Sequence, residues 1–201
     1  MTAFPASRSA RVDVRRVIHI GASLVAITLV ALLPKPVAVL ALGVAVLCAG
    51  LVELVRRVGW GRARFLSLAG PLLKPAERDR ICGATWLSVS YFLAVLFFPR
   101  PVALTAMLYG GLGDPAATFT GRRWGRSAPG RKSWQGFAGG LLINCLAGLL
   151  IPGIILPAAL AGALTASLAE FLPLPLDDNL RTTLAGGVVL RVLPPVLLMM
   201  G

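Results

Sequence analysis

The sequence predicts an all-α fold, a polytopic membrane helical bundle that forms a single integral membrane domain over residues 1–201. The first reason is composition. The chain is 57% apolar and only 14% charged, with a mean hydropathy of +0.81, so it lacks the polar surface of a soluble domain. The second reason is that the apolar residues fall in runs long enough to cross a bilayer. This composition argues against a soluble enzyme and excludes a disordered chain.

About seven transmembrane helices account for the apolar runs, since a spanning helix needs roughly 20 apolar residues. One stretch, from about 136 to 172, is too long for a single span, and Pro152, Gly153 and Pro157 divide it into a hairpin of two. The predicted spans therefore cover about 17–33, 37–55, 82–98, 101–121, two helices within 136–172, and 182–199.

The basic residues are distributed unevenly over the loops between these spans. The net charge is +12, and 17 of the 20 Lys and Arg residues fall on the side of the N-terminus. Because short cytoplasmic loops collect Lys and Arg, the N-terminus is predicted to be cytoplasmic, in a cell inner membrane. An amphipathic cytoplasmic loop at about 59–80 and a basic cytoplasmic loop at about 122–134 carry most of this charge. Aromatic stacking residues are sparse, so we expect contacts with membrane lipids and not with nucleic acid.

Several ionisable residues lie at the cytoplasmic ends of predicted spans, where a charged side chain is costly and needs a reason. On this topology they converge with the basic loops on one pocket that faces the cytoplasm. A pocket that combines acids with Arg or Lys suits a magnesium-bound phosphate, in a nucleotide or a phospholipid head group. The residues are His19, Glu53, Asp114, Glu170, Asp177 and Asp178.

The segment Gly-Gly-Leu-Gly-Asp-Pro at 110–115 predicts a break in the fourth span. Three glycines in four positions weaken a helix. Asp114 followed by Pro115 is a good N-cap and N1 pair for a helix that restarts there. The new helix N-terminus would offer an anion site, and a carboxylate at membrane depth indicates a function beyond capping.

Glycines and basic residues alternate between the fourth and fifth spans. Glycine allows close backbone approach, and Arg or Lys neutralises a polyphosphate. The same residues also suit a cytoplasmic loop that contacts anionic lipid, and composition alone does not separate the two interpretations. The candidates are Gly121, Arg122, Arg123, Arg131, Lys132 and Ser133.

Acidic and amide residues precede the last span. Asp177, Asp178 and Asn179 stand at a predicted helix start, where they can cap the helix or hold magnesium through hard oxygen ligands. Glu170, about two turns earlier, points toward the same end. We favour a metal or catalytic role for the two aspartates, whereas capping and ligation remain equally good interpretations of Asn179.

Two other ionisable residues have simpler interpretations. His19 shares a helix face with Arg15 and Arg16, although a lone His in a span more often packs or forms a structural hydrogen bond. Glu53 precedes Arg56 by three residues and Arg57 by four, so a local helix ion pair is the favoured interpretation.

Five motifs, taken in order, resemble the family of dolichol kinases, phytol kinases and CTP-dependent diacylglycerol kinases, which is related to phosphatidate cytidylyltransferases. They extend over almost the whole chain. Arg16 stands where the family has Lys, and Gln135 where it has Glu. The motifs are Arg-Arg-x-x-His at 15–19, Gly-Asp-x-x-Ala at 113–117, Gly-Arg-Arg-x-Gly at 121–125, Lys-Ser-x-x-Gly at 132–136 and Glu-x(6)-Asp-Asp-Asn at 170–179.

The resemblance implies a CTP-dependent lipid kinase. Such an enzyme transfers the γ-phosphoryl group of CTP to the hydroxyl of a membrane-embedded isoprenoid alcohol or diacylglycerol, with Mg²⁺ as cofactor. The implied catalytic residues are Asp114, Lys132 and Asp178. The implied nucleotide and phosphate ligands are Arg15, Arg16, His19, Gly121, Arg122, Arg123, Arg131, Lys132 and Ser133. The implied metal ligands are Asp114, Glu170, Asp177, Asp178 and Asn179.

Two alternatives remain open. A cytidylyltransferase that makes a CDP-lipid would attack the α-phosphate of CTP, but the Gly-His-Gly-Gly motif of that enzyme is absent and the only histidine is His19. A membrane transporter or lipid flippase also uses broken helices with buried acids. A transporter needs polar groups toward both faces of the membrane, and this chain has almost none on the far side.

Overall fold

The computed structural model describes residues 8–58, 61–62, 65, 67, 70, 77, 80–126 and 132–200. Arg131 and most of the predicted amphipathic loop at 59–80 lie outside these residues. Every regular element within them is a helix, which confirms the all-α prediction. The elements are α1 (Arg8–Leu32), α2 (Lys35–Val55), α3 (Gly83–Phe97), α4 (Arg100–Leu108), a π-helical segment (Tyr109–Gly113), α5 (Asp114–Trp124), α6 (Trp134–Leu150), α7 (Leu156–Phe171) and α8 (Asp178–Met200).

Helix ends follow the local sequence signals. Proline stands in the first turn of α2, α4 and α7, where its missing N–H costs no intrahelical hydrogen bond. The predicted hairpin within 136–172 is present, since α6 ends at Leu150 and α7 begins at Leu156. Gly153 has φ +86° in the turn between them, a conformation that a side chain would strain.

The fourth helix does not break at its glycine-rich segment, so this prediction is wrong. Residues 109–113 continue as a π helix, and Gly113 keeps helical angles of φ −63° and ψ −50°. Asp114 is therefore the first residue of α5 and not an N-cap. Because the helix is continuous over 100–124, the chain offers no new helix N-terminus for an anion at this point.

Close packing explains the glycines of the π-helical segment. A Cβ at Gly111 would lie 2.7 Å from the Tyr91 hydroxyl, and one at Gly113 would lie 2.4 Å from Asn144 Oδ1. Asn144 is buried in α6 and donates through Nδ2 to Ser167 Oγ on α7, at 3.0 Å. Neighbouring side chains thus leave no room for a Cβ at Gly111 or Gly113.

The helices differ in how deeply they are buried. Every residue of α4 from Val102 to Leu108 is buried, and Tyr109 just after it is fully enclosed and donates to the carbonyl of Ala159 at 2.8 Å. Two helical segments, Val14–Leu32 and Lys35–Val55, are long and apolar enough to cross a membrane, and only 11% of each is buried. Their exposed apolar side chains form a surface of the kind that lipid covers.

Candidate functional site

Three carboxylates from three helices meet at one point. Asp114 begins α5, Glu170 lies in the last turn of α7, and Asp178 begins α8. Their side chains bring one carboxylate oxygen each to within 4.8 Å of the others. Glu170 is buried, and the two aspartates are half-buried. We call these three residues the acid cluster; they belong to the acids that the sequence placed in one pocket.

A lysine ammonium group lies within the acid cluster. Lys132 Nζ is 2.7 Å from Glu170 Oε1 and 3.6 Å from Asp178 Oδ2, and it also donates to the Glu170 backbone carbonyl. Lys132 thus pairs with two of the three carboxylates, and these four groups carry a formal excess of negative charge. Carboxylate oxygens are the ligands that Mg²⁺ prefers, so the chemistry of the donor set fits this ion.

The other two residues of the late motif form local and interhelical contacts. Asp177 Oδ1 accepts hydrogen bonds from the backbone N–H of Asn179 at 3.0 Å and from its side-chain Nδ2 at 3.1 Å. Asn179 Nδ2 also donates to the carbonyl of Gly83 at 3.1 Å, which ties α8 to the start of α3. Asp177 therefore caps α8, which is one of the two interpretations that the sequence offered for this residue.

Arg15 contacts an acid that the sequence did not single out. Its two terminal nitrogens donate to the two carboxylate oxygens of Glu77 at 2.5 and 2.6 Å. Glu77 Oε1 also accepts from the backbone N–H of Gly83 at 3.2 Å. The available signal was compositional, because Glu77 and Asp79 are the only acids among the basic residues of 59–80. His19 Nε2 lies 3.4 Å from the Gly110 carbonyl, beside the π-helical segment.

Arg56, which directly follows α2, contacts the same segment around Glu77. Its ion pair with Glu53 confirms the favoured interpretation of these residues, with Nη2 donating to Glu53 Oε1 at 2.6 Å. Arg56 Nη1 donates to the Glu77 carbonyl at 2.9 Å, and Glu53 Oε1 accepts from the Cys82 N–H at 3.1 Å. Hydrogen bonding from Arg56 to the Glu53 carboxylate raises the pKa of the guanidinium, which stays charged. We call Arg15, Glu53, Arg56 and Glu77 the Glu77 network.

Of the described basic residues in the predicted phosphate loop, Lys132 lies in the acid cluster and the two arginines are directed elsewhere. Arg122 and Arg123 are exposed near the end of α5, eight and nine residues after Asp114. At 1.5 Å per residue this places their backbones about 12 Å or more along the helix axis from Asp114. Arg131 lies outside the described residues.

Ser133 and Gly121 support the packing of α5 against α6. The Ser133 hydroxyl caps α6 by accepting from the Gly136 N–H at 3.0 Å. A Cβ at Gly121 would lie 3.0 Å from this hydroxyl and 3.4 Å from the Cα of Gly136. Glycine at 121 therefore allows the two helices to approach closely, and the buried serine has a structural contact of its own.

No family model, no curated protein and no solved structure matches the chain. The resemblance to CTP-dependent lipid kinases therefore rests on the five sequence motifs. Three of these motifs supply residues of the site, namely Asp114, then Lys132, then Glu170 with Asp178.

A cavity adjoins the acid cluster at Lys132 and Asp178. Its volume is about 600 Å³, and its wall combines charged, aromatic and apolar side chains. It brings the segment around residue 80 and the end of α2 together with the link between α7 and α8. The described residues that line it are Arg57, Glu77, Arg80, Ile81, Trp86, Lys132, Leu172, Pro173, Leu174, Pro175, Leu176, Asp177, Asp178 and Arg181.

Proposed function

We propose that this chain is an integral membrane enzyme that transfers the γ-phosphoryl group of CTP to the hydroxyl of an isoprenoid alcohol or diacylglycerol. The observation that carries the proposal is the meeting of Asp114, Glu170 and Asp178 around Lys132. These residues come from distant parts of the chain, and the resemblance assigns all four to the reaction or its metal.

The acid cluster would hold Mg²⁺ through Asp114, Glu170 and Asp178. Their carboxylate oxygens lie within 4.8 Å of one another, close enough for a shared ligand. When bound, the ion would neutralise charge on the phosphates of the donor. Asp177 and Asn179, which the sequence also proposed as ligands, contact each other and Gly83 and would support the cluster by positioning the start of α8.

The side chains of the site would act on the proton and the phosphate. A carboxylate of the acid cluster would orient the lipid hydroxyl and accept its proton as the new O–P bond forms. The bond from the γ-phosphorus to the bridging oxygen would break, and CDP would leave with the electron pair. Lys132 carries three N–H donors, and the one nearest Asp178, at 3.6 Å, would turn to a phosphate oxygen while the ion pair with Glu170 is kept.

The proposal places seven spans in a cell inner membrane, with the N-terminus and the site on the cytoplasmic side. The two long apolar helices and the 17 basic residues on one predicted side support it. Aromatic rings near the acid cluster suit a membrane interface, since the ring centroids of Trp134 and Phe171 are 4.8 Å apart and Trp134 is exposed. The lipid would reach the site laterally, between helices, without leaving the bilayer.

The test is an assay of the purified chain in nanodiscs with γ-labelled CTP, Mg²⁺ and a panel of polyprenol, phytol, diacylglycerol and, as acceptor for the alternative reaction, phosphatidate. We expect label in a lipid, and we expect Asp114→Asn to remove it. Label released as pyrophosphate, with cytidine retained on the lipid, would establish the cytidylyltransferase instead. If neither product forms and Asp114→Asn changes nothing, the enzyme proposal is wrong and transport becomes the better hypothesis.

A further inference from the structure

The cavity beside Lys132 and Asp178 has the size and position of a ligand site. Its volume of about 600 Å³ falls within the range of roughly 300–1,000 Å³ that is typical of small-molecule sites. Because it shares Lys132 and Asp178 with the acid cluster, a ligand bound in it would present one end to the three carboxylates.

Two of the arginines that line the cavity are exposed. Within the part of the chain that the structure describes, their side chains form at most one weak hydrogen bond. The side chain of Arg57 is 48% exposed, and its Nη2 lies 3.5 Å from Glu53 Oε1. Arg80 is exposed, and Arg56 holds its backbone carbonyl, which keeps the residue at the cavity. Each guanidinium has five N–H donors, so both can contact phosphate oxygens.

The third arginine of the cavity has a structural contact. Arg181 Nε donates to the Leu176 carbonyl at 2.8 Å, and Nη1 donates to the Leu172 carbonyl at 2.9 Å. These bonds hold the link between α7 and α8 in place. The link supplies the apolar wall of the cavity, through Leu172, Pro173, Leu174, Pro175 and Leu176.

One wall of the cavity can hold a nucleobase. Trp86 lies in the first turns of α3 and lines the cavity together with the apolar link. An indole ring stacks on any base through its π face, whereas a phosphate gains little from it. Acids, arginines and an indole thus line one cavity, and these are the side chains that suit magnesium, phosphates and a base.

We propose that this cavity binds the nucleotide donor, with Arg57 and Arg80 on its phosphates and Trp86 against its base. The inference rests on the proposed function, and it moves the phosphate ligands away from Arg122 and Arg123. Among the described residues, that pair does not line the cavity. The nucleotide would therefore approach the acid cluster from the end of α2 and the start of α3.

The experiment measures binding of inorganic tripolyphosphate and of CTP to the full chain in nanodiscs by calorimetry. We expect the double variant Arg57→Gln, Arg80→Gln to raise the Kd for both ligands by about 100-fold, since two charge-assisted contacts are lost. Trp86→Leu should raise the Kd for CTP and leave that for tripolyphosphate unchanged. The matched control, Arg62→Gln with Arg126→Gln, removes two exposed basic residues of the same predicted face and should bind both ligands normally.

Three results would overturn or separate the proposals. Loss of binding in Arg122→Gln, Arg123→Gln, with normal binding in Arg57→Gln, Arg80→Gln, overturns the cavity proposal. If phosphatidate in the nanodisc displaces tripolyphosphate and CTP does not, the cavity is a lipid head-group site and the proposal is also wrong. If the Arg57 and Arg80 variants lose CTP binding but the unaltered chain labels no lipid, the cavity proposal stands and the lipid kinase proposal fails.

Discussion

The acid cluster and the Glu77 network are built from the same kinds of side chain, yet their charges are balanced differently. In the network two arginines face two glutamates, and three further hydrogen bonds join them to backbone groups near residues 77–83. In the acid cluster Lys132 pairs with Glu170 and Asp178, and Asp114 brings a third carboxylate to within 4.8 Å of theirs. Because a buried charge is costly unless it is paired, the equal numbers of arginines and glutamates suit a structural contact, whereas we expect the three carboxylates of the cluster to bind a further cation.

The largest expected difference between the acid cluster and the Glu77 network is in how their variants affect activity. Asp178→Asn removes a carboxylate of the acid cluster and should lower lipid phosphorylation by about 10²–10⁴-fold, the usual contribution of a positioned acid or base. The thermal midpoint should hold or rise, because the excess of negative charge falls. Labelled CTP and a melting curve measure the two quantities. Glu53→Gln, which removes the same charge from the Glu77 network, should retain activity per folded molecule; equal losses in both variants would remove the distinction.

Magnesium should stabilise one region and not the other. A free Mg²⁺ concentration of 100 times its Kd should increase the free energy of unfolding by about 2.7 kcal/mol. Asp114→Asn should remove this increment, because it removes one of the three carboxylates that we propose as ligands. Glu53→Gln should keep it. Thermal unfolding with and without the ion measures the increment, and persistence in Asp114→Asn would place the ion elsewhere.

Loss of the central acid of the Glu77 network should act on stability. Glu77→Gln removes the charge that receives two hydrogen bonds from Arg15, and should lower the free energy of unfolding by about 2 kcal/mol. A double-mutant cycle with Arg15→Met should show that most of this loss is shared by the pair. Additive losses would mean that Arg15 acts mainly on another partner.

The smallest expected effect concerns Ser133. As the cap of α6 it should lose about 1 kcal/mol of stability on change to Ala, with little effect on the KM for CTP. Ser88→Ala is the matched control, since Ser88 donates to the Ala84 carbonyl of its own helix. A higher KM with unchanged stability would instead assign Ser133 to the phosphates, as the sequence resemblance implied.

Local patterns predicted the helices well, because the residues that begin and end a helix lie in the sequence beside that end. The apolar runs set the helix positions, and first-turn prolines with Gly153 set several ends. The predicted topology placed six ionisable residues in one pocket. The structure brings Asp114, Glu170 and Asp178 together, whereas Glu53 pairs with Arg56.

Contacts between distant segments could not be predicted in this way. Arg15 and Glu77 are 62 residues apart, and nothing in either local sequence identifies the other. The glycine-rich segment differs from the predicted helix break for a related reason. Glycine lowers intrinsic helix propensity by about 1 kcal/mol per residue, but the packing of Tyr91 and Asn144 against Gly111 and Gly113 keeps the segment helical. Tertiary packing outweighed a local preference.

The π-helical segment has a consequence for the direction of Asp114. A π turn holds one residue more than an α turn, so everything after it is rotated by about 100° relative to an uninterrupted α helix. The segment Tyr109–Gly113 thus changes which face of the continuous helix the following residues occupy. It lets α4 keep its apolar side chains in the core while α5 turns its first carboxylate toward Glu170 and Asp178. Two requirements that a regular helix could not meet together are met by a single additional residue.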